Sequence, residues 1–138
     1  MSILLIGAGN LGEAMLDGML KNDIDVSVLV RTEDKMMKLK EYYPTLKVAV
    51  SKSSINISGK TVVLAVKPNS FYDIKFEGKA KAFVSVMAKV PLDDLRLNVD
   101  ATHYVRAMPN IAARCEKAVS AVTGDVAYKN EALKLMGS

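Results

Sequence analysis

Apolar residues in this chain gather into short dense runs, and between several of these runs they recur every three or four positions. The runs span 2–6, 26–30, 47–50, 61–66, 82–86 and 102–106, and several are apolar almost throughout, with many β-branched residues. Continuous runs of this length predict strands covered on both faces, as in a parallel sheet, whereas strict alternation would predict a half-wet one. Between the first two runs, 10–21 places Leu11, Met15, Leu16, Met19 and Leu20 at helical spacing. Between the next two, 33–43 lines up Met36, Leu39 and Tyr43 and stops before Pro44, since the residue ahead of a proline is pushed out of the helical region.

The later elements are shorter. The polar stretch 51–58 predicts a loop or a single helical turn. Residues 91–97 predict a brief helix opened by Pro91, 118–122 a last strand, and 130–136 a terminal helix of about two turns. Strand alternating with helix implies an α/β domain with right-handed crossovers and a mainly parallel sheet. No repeat, low-complexity tract or linker divides the chain, so 1–138 reads as one domain.

The junction of the first strand and first helix carries chemistry. Gly7-Ala8-Gly9-Asn10-Leu11-Gly12 follows Ile3-Leu4-Leu5-Ile6 directly. Strand, G-x-G-x-x-G, then helix is the arrangement that sets a dinucleotide pyrophosphate on a helix N-terminus. Gly7 permits the tight turn, Gly9 leaves room for the backbone to approach phosphate, and Gly12 allows close packing of the helix. The chain is thus expected to be a Rossmann-like, doubly wound domain with helices on both faces and a dinucleotide in its cleft. A glycine-rich turn with no ligand is the competing reading.

Composition narrows the setting. Half of the 138 residues are hydrophobic and a quarter charged, as in ordinary globular domains. No apolar run approaches the roughly 20 residues that span a bilayer. The N-terminus lacks the basic region and cleavage site of a secretory signal. The single cysteine, Cys115, cannot form an internal disulfide. These features predict a cytoplasmic protein with no membrane partner. The net charge of +4 is spread among acids (Lys35, Lys38 and Lys40 beside Glu33, Asp34 and Glu41), which predicts a solvated surface and no nucleic-acid partner.

The end of the second strand selects the cofactor. A carboxylate there would hydrogen-bond an adenosine 2′-hydroxyl and favour NAD, whereas an arginine accommodates a 2′-phosphate. Here the strand ends at Val30 and is followed by Arg31 and Thr32. Arg31 offers a planar fork of donors suited to phosphate, Thr32 a hydroxyl, and Lys35 further charge. NADP(H) is expected over NAD(H). A solvated arginine is the alternative.

Three segments, Gly7-Ala8-Gly9-Asn10-Leu11-Gly12-Glu13-Ala14-Met15, Leu64-Ala65-Val66-Lys67-Pro68-Asn69 and Val105-Arg106-Ala107-Met108-Pro109-Asn110, resemble spaced motifs of the pyrroline-5-carboxylate reductase family. Val84-Ser85-Val86-Met87-Ala88-Lys89-Val90 resembles a fourth, and Arg31-Thr32 the family's strand-end segment. The resemblance covers essentially the whole chain in the correct order. It implies reduction of a cyclic imine to proline with NADPH or NADH, a reaction of amino-acid biosynthesis. Such chemistry asks mainly for orientation of two reactants and exclusion of water. The resemblance places Ala65, Val66, Lys67 and Pro68 in the loop after the fourth strand, along the cofactor's central ribose and pyrophosphate. It places Met108, Pro109 and Asn110 by the nicotinamide, with Asn110 as a polar anchor. A solvated lysine and a core methionine are the plainer readings of Lys67 and Met108.

The chain also departs from the family. Ile111-Ala112-Ala113 stands where the family has Thr-Pro-Ala, and Lys89 where it has glycine. The family's second, helical domain, which forms the dimer and supplies much of the imine pocket, has no counterpart read before Ser138. The isolated chain is therefore expected to be inactive unless a second domain is supplied, whether it is a truncation or a natural short protein. The resemblance assigns no catalytic residue, and no metal set is read. His103 has no partner at ligand spacing, Cys115 no identifiable base, and the Asn56-Ile57-Ser58 glycosylation triplet no secretory signal. Two further functional readings stand beside the reductase: a non-catalytic NADP(H)-binding module, and the cofactor domain of a deazaflavin-dependent NADP reductase.

Overall fold

The computed structural model describes residues 2–7, 9–51, 54–87, 90–109 and 119–124. Its centre is a seven-stranded sheet built from β1 (Ser2–Ile6), β2 (Asp25–Val30), β3 (Lys47–Val50), β5 (Thr61–Leu64), β7 (Lys79–Ser85), β8 (Asp100–Pro109) and β9 (Val119–Gly124). Two short strands, β4 (Ser54–Asn56) and β6 (Lys75–Glu77), form a separate parallel pair. The helices are α1 (Asn10–Lys21), α2 (Glu33–Tyr42), α3 (Pro68–Phe71) and α4 (Leu92–Asn98).

The main sheet runs β3-β2-β1-β5-β7-β8-β9, parallel throughout except for the antiparallel β8–β9 pair. The chain first winds from β1 outward to β3, then returns beside β1 and winds the other way. The point of reversal lies between β1 and β5, the doubly wound, Rossmann-like arrangement expected from the alternation of elements.

Both faces of the sheet are covered, which is why its strands read as unbroken apolar runs. On β1, Ile3 and Leu5 meet Met15, Leu16 and Met19 of α1, in a core that also holds Leu39 of α2. Leu4 and Ile6 point the other way, into a second core with Phe71 of α3, Leu95 of α4, Ile55 of the short pair and Ile57 just after it. Burying one such side chain contributes about 1.5–3 kcal/mol, so a one-residue register slip would exchange two cores at once.

The second face differs from expectation in one respect. Residues 51–58 were predicted as loop or helical turn, but Ser54–Asn56 is a strand paired with Lys75–Glu77. The signal is the alternation of Ile55 and Ile57 among polar neighbours; both are buried against the sheet. The fourth predicted strand also stops earlier, at Leu64 and not residue 66. Pro68 opens the short helix α3 and does not sit in a loop, consistent with its pre-set φ at a first helical position. The predicted last strand is present as Val119–Gly124, and the predicted terminal helix at 130–136 lies outside the described residues.

Candidate functional site

The parallel register aligns Ala49, Leu29, Ile6, Leu64, Ser85 and Arg106 in one row across six strands. The residues just beyond this row form the carboxyl edge of the sheet. The ladder extends one step past the strands: Gly7 N donates to Leu29 O, Ala65 N to Ile6 O and Val86 N to Leu64 O, at 2.9, 2.8 and 3.1 Å. A cleft of about 550 Å³ opens above this edge at the reversal point, lined by Gly7, Gly9, Val30, Arg31, Thr32, Lys35, Ala65, Val66, Lys67 and Ser70. Ligands of doubly wound sheets bind at this place, because the loops of oppositely wound halves part there.

The three glycines of the β1–α1 turn meet quite different surroundings. Gly7 has φ +94°, and a Cβ on it would lie 2.7 Å from the Ala65 carbonyl oxygen. A Cβ on Gly12 would lie 2.7 Å from the Gly7 carbonyl oxygen, so the first turn of α1 rests directly on the turn before it. A Cβ on Gly9 would meet no atom of the described residues within 4 Å. Gly7 and Gly12 are therefore required by the protein's own packing, whereas the space at Gly9 belongs to the cleft.

The start of α1 is also unfinished. Gly9 is its N-cap and supplies no side-chain hydrogen bond, though its carbonyl accepts from Glu13 N at 2.9 Å. The amides of the first turn thus rely on something other than a capping side chain, and with the helix dipole they suit an anion. The groups present fit the pyrophosphate of a dinucleotide: an uncapped twelve-residue helix, an open glycine and a cationic opposite rim.

Arg31, Thr32 and Lys35 form that rim, in three different states. Thr32 is the N-cap of α2 and its Oγ1 accepts from Lys35 N at 3.2 Å. Lys35 Nζ pairs with Glu13 Oε1 at 2.5 Å, a partly exposed bridge that joins the first turns of α1 and α2. Its charge is therefore largely matched within the protein. Arg31 donates from Nη1 to Ser70 Oγ at 2.9 Å, and among the described residues it has no carboxylate within ion-pair distance. Among the described residues, Arg31 and Lys67 are the cations of the cleft lining with no ion-pair partner.

A second, smaller chamber of about 280 Å³ adjoins the cleft and shares Gly7, Arg31, Val66 and Ser70 with it. Ile6, Leu29 and Ile74 give it apolar walls, and Ser51 and Asp73 add polar groups. Ser70, Ser51, Asp73 and Ile74 were not singled out from the sequence. Ser70 stands 39 residues from Arg31, so no local spacing reveals the contact.

Of the other residues picked out by sequence, Asn10, Leu11 and Gly12 form the first turn of α1, and Pro68 begins α3 after Lys67. Lys67 is exposed at the cleft edge. Met108 lies near the end of β8, two strands from β5, where its backbone is in register with Ala121 of β9. Ala8, Lys89, Asn110, 111–113 and Cys115 lie outside the described residues. Asn56 Oδ1 accepts from Ser58 N at 3.0 Å, closing a local turn after β4. Behind α3, the Tyr72 hydroxyl donates to Asp94 at 2.6 Å, a bond that pushes the phenol above its usual 10.0.

Comparison with known proteins agrees with this geometry. The family model described as NADP oxidoreductase, coenzyme F420-dependent, matches residues 2–89, and the chain belongs to that family. Pyrroline-5-carboxylate reductase of Helicobacter pylori is 32% identical over 127 residues, covering 83% of this chain and 49% of that protein. The chain thus spans about half the length of the curated relatives it matches. Two solved structures share its fold. One is 1-pyrroline-5-carboxylate reductase from Streptococcus pyogenes, with a TM-score of 0.73 at 22% identity, over 100% of this chain and 56% of that one. The other is Plasmodium falciparum pyrroline carboxylate reductase with NADP bound, with a TM-score of 0.67 at 16% identity, over 99% and 53%.

Proposed function

From this family membership and the cleft, we propose that the chain is the cofactor-binding half of an NADP(H)-dependent reductase of the pyrroline-5-carboxylate reductase type. It would serve hydride transfer to a cyclic imine in proline biosynthesis, in the cytoplasm. When bound, NADPH supplies the hydride. The first turn of α1 holds the pyrophosphate through its amides, with Gly9 leaving the path open. Arg31, with Thr32 beside it, meets the adenosine 2′-phosphate. Ala65, Val66, Lys67 and Pro68 border the central part of the cofactor, and Met108 and Asn110 its nicotinamide end. The remaining task is to seat the imine against the nicotinamide and exclude water, which is proximity catalysis. We assign that task chiefly to a second domain, supplied by further chain or by a partner, through which such enzymes would also assemble as homo-oligomers.

The observation that carries this reading is Arg31 at the end of β2, with no ion-pair partner among the described residues, facing an uncapped helix across the cleft. Titration with NADPH and NADH tests it. Arg31→Ala should weaken NADPH binding on the order of 10- to 100-fold, the equivalent of losing about 1.5–3 kcal/mol of charge-assisted hydrogen bonding, and NADH binding less than about twofold. Equal losses for both cofactors would reject the 2′-phosphate assignment. The description of the family model favours a second reading, in which the reduced partner is a deazaflavin and not an imine. A turnover assay on both substrates, with a reductase helical domain added in trans, separates the two. The isolated chain should bind NADPH without reducing the imine, so that it behaves alone as a binding module. Robust turnover would show that the second domain is not needed.

A further inference from the structure

Ser70 stands out because it belongs to both cavities and touches Arg31, which has no ion-pair partner among the described residues. Arg31 lies at the end of β2 and Ser70 in α3, on opposite sides of the reversal point. Their hydrogen bond, Nη1 to Oγ at 2.9 Å, crosses the boundary between the 550 Å³ cleft and the 280 Å³ chamber, since each residue lines both. An exposed arginine at a strand end ordinarily samples many rotamers, and ordering it on a ligand costs up to about 2 kcal/mol. The serine hydroxyl meets part of that cost before any ligand arrives. It does so without consuming the charge: a hydroxyl is neutral, and the guanidinium keeps four of its five N–H groups for an incoming anion. Lys35 shows the contrasting case, with its ammonium matched by the Glu13 carboxylate.

We infer that Ser70 is a positioning residue for cofactor selection. It holds the Arg31 guanidinium at the junction of the two cavities, aimed at a phosphate on an adenosine ribose, and so widens the preference for a 2′-phosphorylated cofactor. This rests on the assignment of Arg31 to the 2′-phosphate, and the test keeps the two apart.

Adenosine 2′,5′-bisphosphate and adenosine 5′-monophosphate differ only in the 2′-phosphate, so calorimetric titration of both isolates the contact. Ser70→Ala should weaken the bisphosphate about 3- to 10-fold, the loss of one modest exposed hydrogen bond, and leave the monophosphate within about twofold. Ser70→Thr, which keeps the hydroxyl, should restore the preference. In an Arg31→Ala background, Ser70→Ala should change neither ligand further, because a residue acting through another has nothing left to act on. Equal loss for both ligands, no loss for the bisphosphate, or a loss that persists without Arg31 would each overturn the role of Ser70. If Arg31→Ala itself leaves the bisphosphate preference intact, the underlying assignment fails instead. Should Ser70→Ala not fold, Ser70→Cys, similar in volume but a weak acceptor, takes its place with the same expected losses.

Discussion

Two helices begin at the rim of the same cleft, and their first turns are completed in opposite ways. At α2, Thr32 caps the helix with its own hydroxyl, and Glu33 and Asp34 place negative charge beside the exposed amides. At α1, Gly9 stands in the capping position and offers no side chain, and a Cβ there would face open space. Ser or Thr at a cap stabilises a helix over glycine by a few tenths of a kcal/mol and satisfies an amide that glycine leaves open. A helix that forgoes this at the carboxyl edge of a doubly wound sheet leaves its amides for a ligand. The difference separates a helix end closed by its own side chains from one left open to the cleft.

The largest effect should come from the glycine that looks most like its neighbours in sequence. Gly7→Ala places a Cβ 2.7 Å from a backbone oxygen at φ +94°, with no flexible side chain to yield. It should cost about 2–4 kcal/mol of stability in urea denaturation, from backbone strain plus overpacking. Near-native stability would mean that the turn can relax away from Ala65. Gly9→Ala should do the reverse: a loss of stability of no more than about 1 kcal/mol, since the backbone there is extended and only the N-cap preference for glycine over alanine is lost, but NADPH affinity reduced by more than about tenfold. A Gly9→Ala protein that binds normally would break the comparison, because the open space at Gly9 would then have no use. Thr32→Ala should be mildest, lowering stability by about 1 kcal/mol, with Thr32→Ser restoring it. If Thr32→Ala instead left stability untouched and abolished binding, the two helix ends would be doing the same job.

Much of this was legible before the fold. The six apolar runs, the period of 10–21 and the stop before Pro44 each state a local preference that the tertiary structure did not need to overrule. The β1–α1 turn was equally readable, because three glycines at fixed spacing leave few alternatives. The pair β4–β6 was not, since strands of three residues carry little periodicity and Ile55 becomes a strand residue only against the sheet. Nor was Ser70, whose significance depends on a contact with a residue 39 positions away.

By itself, the sequence determined the strand–helix alternation, the turn geometry at Gly7 and the presence of an arginine where a ribose-binding carboxylate would stand. These are short-range properties, set by sterics and side-chain chemistry within a few residues. Only the tertiary structure decided that Lys35 is matched by Glu13 while Arg31 is not, that Gly9 faces space while Gly7 and Gly12 face backbone, and that Arg31 is held by Ser70. Charge compensation and open volume are properties of neighbours in space, and winding the sheet in two directions brings residues from β2, α1 and α3 to one edge.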